Sequence, residues 1–229
     1  MDVKGLIEKL KEFDTPTICN ALEMIDTRRR DFGYTDESFF CLRPQMAPIV
    51  GVAKTATIRS FGPSTLSTED LKRERVKYYE YINEEELPKI VVMQDLDGRR
   101  YGHGVFWGEF NSRVHKFLGC EGVITDGSIR DVPNLPTDFQ VLATTIRPSH
   151  ANIHIVDFGG QVNVCSMVTN PGDVIHADLH GAVAFDILLA EQVIECANKF
   201  IENESVVLDA CKNSQSLTFE GLVKLYLSR

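Results

Sequence analysis

Trp107-Gly108-Glu109-Phe110, followed after a helix-length gap by Gly122-Val123-Ile124-Thr125-Asp126-Gly127-Ser128-Ile129-Arg130-Asp131, is the stretch on which the fold reading turns. Twenty residues lie between Glu109 and Arg130. The pattern reads as a glycine-bearing turn, a helix, a buried strand, and then an Arg-Asp pair at the end of the strand. Asp131 at such a position can hold a hard divalent metal through oxygen. Arg130 can stabilise an oxyanion with a planar fork that Lys does not offer. Read from the residues alone, Arg130-Asp131 is equally a structural salt bridge, and Glu109 is equally a first-turn residue facing the helix dipole.

The reading extends outward from this unit. Val105 to Leu118 is expected to be helical from about Gly108, with Phe106, Phe110, Val114 and Phe117 on one face and Gly119 closing it. Residues 48–59, Ile90–Met93, Gly122–Asp126, Val141–Thr145 and Val174–Asp178 read as strands, with a bend at Gly51 and a break at Leu179-His180-Gly181. Val156–Phe158 and Val162–Val164 suggest a hairpin about Gly159-Gly160. Leu6, Ile7, Leu10 and Phe13 mark a first amphipathic helix. Asp14-Thr15-Pro16 starts a second, and Ala184 to Ile201 a late one. Residues 27–37 read as a loop, and its Arg28-Arg29-Arg30 run fits a phosphate site, a solvated helix end or a subunit contact. Ser67 opens a charged helix over residues 67–86, either a partner surface or a solvated insertion over a sheet edge. Alternating helices and strands make this an α/β chain, and one domain over residues 1–229 is expected, with a helical region at 184–229.

Bulk properties narrow the function. The chain has 229 residues, 43% hydrophobic and 25% charged, and a formal net charge of −9. That charge disfavours nucleic acid and anionic membranes as partners. No apolar run reaches the roughly 20 residues that cross a bilayer. The N-terminus lacks the basic and apolar regions of a signal peptide, so a cytoplasmic location is expected. Six scattered cysteines without a CxxC read as reduced core thiols and not as structural zinc. No strand–GxGxxG–helix segment is present to hold a nucleoside.

With these residues in place the chain resembles the RraA-like proteins: the regulator of ribonuclease activity A and the metal-dependent 4-hydroxy-4-methyl-2-oxoglutarate aldolases, some of which are misnamed demethylmenaquinone methyltransferases. The matching segments are Asp14–Leu22, Trp107-Gly108-Glu109, Gly122–Val132 and Pro171–Gly181. The resemblance runs from about residue 5 to about residue 190. It implies a layered α/β/β/α fold with a mixed sheet. It also implies a homotrimer or a hexamer of paired trimers, with active sites between subunits.

The implied chemistry is retro-aldol cleavage of a small 4-hydroxy-2-oxo acid to pyruvate, and decarboxylation of oxaloacetate, with Mg²⁺, Mn²⁺ or another divalent metal. Both reactions leave a pyruvate enolate whose charge must be stabilised. Carried over by motif, Asp131 is the metal ligand. Glu109 holds metal-bound water, at a position where members often have Asp. Arg130 contacts the keto oxygen, and the backbone amides of Gly108, Phe110 and Asn111 cradle the substrate carboxylate. A carboxylate of the next subunit, among Glu191, Glu195, Glu202 and Glu204, assists the base. Catalytic members often carry an acidic residue where this chain has Asn134. A second function, protein binding without substrate chemistry as in the namesake ribonuclease regulator, keeps the same motif. Asp178, His180, His176 and His115 read as structural or surface residues, Trp107 as packing, and His103 as a loop residue. His150 and His154 are minor candidates for substrate choice.

Overall fold

The computed structural model describes residues 2–212 and 217–228. Its elements run α1 (Val3–Leu10), α2 (Thr15–Ile25), β1 (Phe40–Cys41), β2 (Ile49–Arg59), α3 (Thr68–Asn83), β3 (Lys89–Asp95), β4 (Val105–Trp107), α4 (Glu109–Phe117) and β5 (Cys120–Ile129). They continue β6 (Gln140–Ile146), β7 (His154–Phe158), β8 (Val162–Val164), β9 (Met167–Thr169), β10 (Val174–Asp178), β11 (Gly181–Phe185), α5 (Ala190–Lys212) and α6 (Phe219–Leu227).

A mixed sheet organises the molecule in the order β1-β6-β5-β3-β2-β10-β11, with β4 also on β5 and β7 also on β2. Strands β2, β3, β4, β5 and β6 are mutually parallel, and β10, β11, β7 and β1 run antiparallel to their neighbours. The long β2 serves two partners on one edge. Its first half pairs β10 and its second half pairs β7, across an irregularity at Thr57/Ile58.

The parallel block is buried on both faces, which its near-continuous apolar strands require. Side chains alternate by the two-residue period. Val91, Met93, Val123 and Val141 face a core closed by Tyr78 and Ile82 of α3 and by Trp107. Ile90, Val92, Ile124 and Leu142 face the opposite way, onto the β8–β9 hairpin. A third cluster joins α1, α2 and α5 to Val50, Val52, Val174 and Val183. Local signals set the helix starts: Asp2, Asp14 and Ser67 each accept a first-turn amide, at Gly5, Thr17 and Asp70.

Four expectations are corrected. Val105–Trp107 is strand, not helix, because this apolar triplet pairs with the end of β5. Val156–Phe158 and Val162–Val164 form no hairpin: β7 pairs with β2, and β8 with β9. Gly160 thus lies in a link between two pairings. Ala184 and Phe185 finish β11, and the helix begins only at Ala190, extending to Lys212. Gly51 makes no bend. It sits in a regular stretch of β2 opposite Ile175, where a Cβ would lie 2.6 Å from the Pro88 carbonyl oxygen. Its role is close backbone approach.

The Arg28–Arg30 run is a short 3₁₀ turn. Arg28 pairs with Asp26 and Arg30 with Glu23, while Arg29 donates to the Ala184 carbonyl. That fits the helix-end reading. All six cysteines are unpaired thiols. Among the described residues no helix is long and apolar enough to cross a membrane.

Candidate active site

The parallel block directs the carboxyl ends of β4, β5 and β6 to one edge, where open α/β sheets place their ligands. Strand β4 ends at Trp107 and β5 at Ile129. Arg130 and Asp131 follow at once, and the Arg130 amide donates to the Trp107 carbonyl at 2.9 Å. Asp131 has a left-handed backbone, φ 55°. Asp tolerates this better than most residues, and the conformation turns the chain sharply out of the strand. The Asn134 amide then closes the turn on the Asp131 carbonyl at 2.8 Å.

Gly108 caps α4 and brings no side chain to its first-turn amides. A Cβ on Gly108 would stand 2.6 Å from Asp131 Oδ2 and 3.1 Å from Arg130 Cγ. The glycine is therefore required for space, since its φ of −138° suits any residue. Into that space comes the Asp131 carboxylate. Its Oδ2 accepts from the Glu109 amide at 3.3 Å and lies 3.5 Å from Arg130 Nε. Both side chains remain about one-third to two-fifths exposed, at 35% for Arg130 and 41% for Asp131. A carboxylate at a helix N-terminus is stabilised there by the dipole.

The predicted residues come together in part. Gly108, Phe110, Asn111, Arg130 and Asp131 line one cavity of about 260 Å³, which Val105, Phe106, His150 and Ile153 complete. A second cleft, of about 480 Å³, is also lined by Arg130 and Asp131. The Glu109 side chain turns along α4 to Arg113, whose Nε donates to Oε1 at 2.8 Å. The Arg113 guanidinium also donates to the Asn134 carbonyl at 3.3 Å. Glu191, Glu195, Glu202 and Glu204 all lie on α5, which packs on α1, α2 and α6.

Asn111 was expected to offer its backbone amide, and its side chain serves elsewhere. Its side chain is a lock: Nδ2 donates to the Phe106 carbonyl at 2.6 Å, and Oδ1 accepts from Arg75 at 3.1 Å and from Tyr79 at 3.2 Å. Only its backbone amide is left for a ligand.

His115 is a correction. It is fully buried, not a surface residue. Nδ1 must donate to the Asn111 carbonyl at 2.6 Å, since a carbonyl only accepts, so Nε2 accepts from the Tyr78 hydroxyl at 2.8 Å. Burial pushes its pKa down to about 4, which keeps the ring neutral. The expected apolar face of α4 is displaced accordingly. Phe110 and Phe117 are 73% and 89% exposed, and Ser112 and His115 face inward. Tyr78, Phe106 and Trp107 already fill the space beneath the helix.

Helix α3 is thus more than a solvated cover. Arg75, Tyr78 and Tyr79 bolt down the first turns of α4. These contacts, with Arg113, were missed in the sequence reading, whereas His150 was named there as a minor candidate and lines the cavity. Only Arg113, four residues after Glu109, had a legible helical spacing.

Other sequence candidates are structural. Trp107 is fully buried and packs on His115 and Phe139. The His176 imidazole bonds Thr15 Oγ1 through Nδ1 and donates from Nε2 toward the Leu10 and Phe13 carbonyls. Asp178 accepts from the amides of Thr15 and His180. His103 stacks edge-on against Phe61.

The donor set bears on which metal fits. Among the described residues no group of three or more His, Cys, Asp or Glu side chains converges on a point. A dehydrated zinc cage is therefore absent from these residues. The residues do fit a hydrated hard cation, which needs only one or two carboxylates. Asp131 Oδ1 has no partner among the described residues.

Comparison with known proteins bears on the fold and the family. An uncharacterized protein of Methanocaldococcus jannaschii is 28% identical over 131 residues, 56% of this chain and 62% of that protein. The chain thus spans less than two-thirds of that relative's length. Among solved structures, an uncharacterized protein from Pseudomonas syringae pv. tomato superposes with a TM-score of 0.73 at 17% identity, covering 98% of this chain and 94% of the other. Streptomyces coelicolor RraAS2, an unusual member of the RNase ES inhibitor RraA protein family, gives 0.69 at 21% identity, covering 88% and 94%. At such identities these two likenesses establish the fold. The family model described as RraA-like, Aldolase/RraA, matches residues 15–184, which include β4, α4, β5 and both Arg130 and Asp131. The chain belongs to the RraA-like family, which contains both aldolases and RraA regulators.

Proposed function

We propose that this protein is a divalent-metal-dependent carbon–carbon lyase that cleaves 4-hydroxy-2-oxo acids to pyruvate and decarboxylates oxaloacetate. The observation that carries the reading is the juxtaposition of the Asp131 carboxylate, the Arg130 guanidinium and the uncapped first turn of α4 in the space that Gly108 leaves open. Beside it, Asp131 Oδ1 and the Phe110 and Asn111 amides are left for a ligand.

Asp131 would hold Mg²⁺ or Mn²⁺, with Glu109 within one turn to orient water through its second oxygen. When bound, the ion supplies Lewis-acid stabilisation of charge developing on the substrate. The chain's own residues do the rest. The amides of Phe110 and Asn111 bind the 2-oxo acid's carboxylate at the helix N-terminus. Arg130 donates to the C2 oxygen, which gains negative charge as the bond beyond C3 breaks. A proton must leave the C4 hydroxyl and another must return to C3. A carboxylate of α5 from a neighbouring copy (Glu191, Glu195, Glu202 or Glu204) is assigned that exchange, in a trimer or a hexamer of paired trimers.

The test is pyruvate release from oxaloacetate and from 4-hydroxy-4-methyl-2-oxoglutarate, with Mg²⁺ and with EDTA, for wild type and Asp131→Ala. Turnover above the free-metal background, lost in both EDTA and the variant, is expected. A folded oligomer that turns over neither substrate would sink this reading in favour of a protein-binding regulator.

A further inference from the structure

Of the residues that line the cavity beside α4, only Arg130, Asp131 and His150 carry ionisable groups. An Arg keeps its proton in a protein, and an ionised Asp only accepts. His150 is the side chain there whose type gains and loses a proton near neutral pH. Its place is set by the sheet. Ile129 of β5 lies opposite Ile146 of β6, so Arg147 follows beside Arg130, and the Arg147 amide donates to the Ile129 carbonyl at 3.0 Å. Further on, the Val105 amide of β4 donates to the Ser149 carbonyl at 3.1 Å, and a Cβ on Gly104 would stand 2.6 Å from the His150 carbonyl oxygen. The backbone around His150 is thus held against the strand that leads into Gly108. Ala151 has a left-handed backbone, φ 46°, a conformation that collects at functional sites when the residue is not glycine. Its amide donates to Ser149 Oγ at 3.0 Å, and its carbonyl lies 2.7 Å from His150 Nδ1. A carbonyl only accepts, so Nδ1 carries a proton in both states of the ring, and Nε2 alone gains and loses one. Nε2 has no partner among the described residues.

This inference rests on the lyase reading and divides its proton exchange between two groups. Retro-aldol cleavage sets free the proton of the C4 hydroxyl, which a carboxylate can take. Oxaloacetate has no such hydroxyl. Its decarboxylation sets no proton free, yet C3 of the enolate must still gain one. An ordinary carboxylate is ionised at neutral pH and has none to give. We infer that His150 is the acid that returns a proton to C3 in both reactions, and that the carboxylate of the neighbouring α5 serves only the C4 hydroxyl. The π pair of the enolate forms the new C3–H bond while the C2 oxygen becomes a carbonyl again. The Nε2–H bond breaks, and its electron pair stays on the ring. Nδ1 keeps its bond to the Ala151 carbonyl throughout, so the ring need not move. His150 is exposed, so a proton from solvent reloads Nε2. Run in reverse, the same transfer takes a proton from the methyl group of bound pyruvate.

Exchange of the pyruvate methyl protons in D₂O, followed by NMR with Mg²⁺, reads this step without any carbon–carbon cleavage. Wild type is expected to exchange them above the free-metal background. His150→Gln is expected to slow the exchange about 10²-fold. Its consumption of oxaloacetate should fall far less, because that carbon–carbon bond breaks before C3 is protonated. In His150→Ala, added imidazole is expected to restore exchange, which a mere packing role for the ring would not produce. Exchange undiminished in His150→Gln, or slowed in His150→Ala and indifferent to imidazole, overturns the assignment. A wild type that cleaves substrate without exchanging pyruvate overturns it too and keeps the lyase. Exchange that is lost at His150, in a protein that cleaves neither substrate, keeps the C3 acid and removes the lyase. A wild type that neither cleaves nor exchanges removes both.

Discussion

Gly108 and Asp131 divide one small volume between them. A methyl group at residue 108 would meet Asp131 Oδ2 at 2.6 Å. Gly108→Ala is therefore expected to push the carboxylate aside and weaken Mn²⁺ binding at least tenfold, read by electron paramagnetic resonance, with little change in Tm. Arg130→Lys keeps the charge and loses the fork. A fall in kcat of roughly 10²-fold is expected in the pyruvate-release assay. Asp126, four residues upstream, makes a stability prediction. Burial is the main cause that pushes its carboxyl from 3.8 up to about 7, and the nearby Asp95 carboxylate adds to this. The folded state then keeps a proton that the unfolded chain gives up above about 4. Asp126 thus contributes stability at low pH that is lost as pH rises toward 7. Asp126→Asn should remove that decline and stabilise the protein at pH 8 by on the order of 1–3 kcal/mol, measured by urea unfolding.

At the scale of elements, α4 is aimed by α3. The Tyr78 hydroxyl, the His115 ring and the Asn111 carbonyl form one buried chain of hydrogen bonds. Tyr78→Phe leaves His115 Nε2 without a donor inside the core, which costs about 1–3 kcal/mol. A drop in Tm of roughly 3–8 °C is expected for a chain of this length. His115 also works against Asp126 in acid. Its folded pKa is lowered from 6.5 to about 4, so the unfolded chain takes up a proton first, and this part of the stability is lost as pH falls from 6.5 toward 4. A His115→Gln variant should lack that acid loss, while Asp126→Asn should keep it. Overlapping slopes in the two variants would refute the assignment of the two groups.

At the scale of the molecule, the C-terminal helices leave much apolar surface uncovered. Leu188, Phe219, Tyr226 and Leu227 are all largely exposed, and no residue of α6 is buried within the chain. Beside the site, Phe110 and Phe117 stand out from α4 in the same way. Isolated apolar residues are ordinary on a surface, but several large ones on two faces are the pattern of a chain that meets other copies. Light scattering is expected to give a mass of about 77 kDa, three times 25.7 kDa, or twice that for paired trimers. A monomer at micromolar concentration would contradict the shared-site proposal.

The amino-acid sequence by itself determined what depends on near neighbours along the chain. Asp2, Asp14 and Ser67 cap their helices because a cap needs only its own first turn. The strands at Ile90–Met93, Gly122–Asp126 and Val141–Thr145 were legible because strands buried on both faces must be continuously apolar. The Trp107–Glu109 turn and the Arg130-Asp131 pair were legible as a motif for the same reason: their order along the chain is their chemistry. Tertiary structure alone decided what depends on contacts across the chain. Whether Val105–Trp107 is helix or strand depended on the free edge of β5, and whether Val156–Phe158 pairs forward or back depended on the second half of β2. The burial of His115, the locking of Asn111 by α3 and the placing of Arg147 beside Arg130 join residues 17 to 37 positions apart. Nothing in their local pattern marks them, because a side chain's surroundings are set by which strands the sheet makes neighbours.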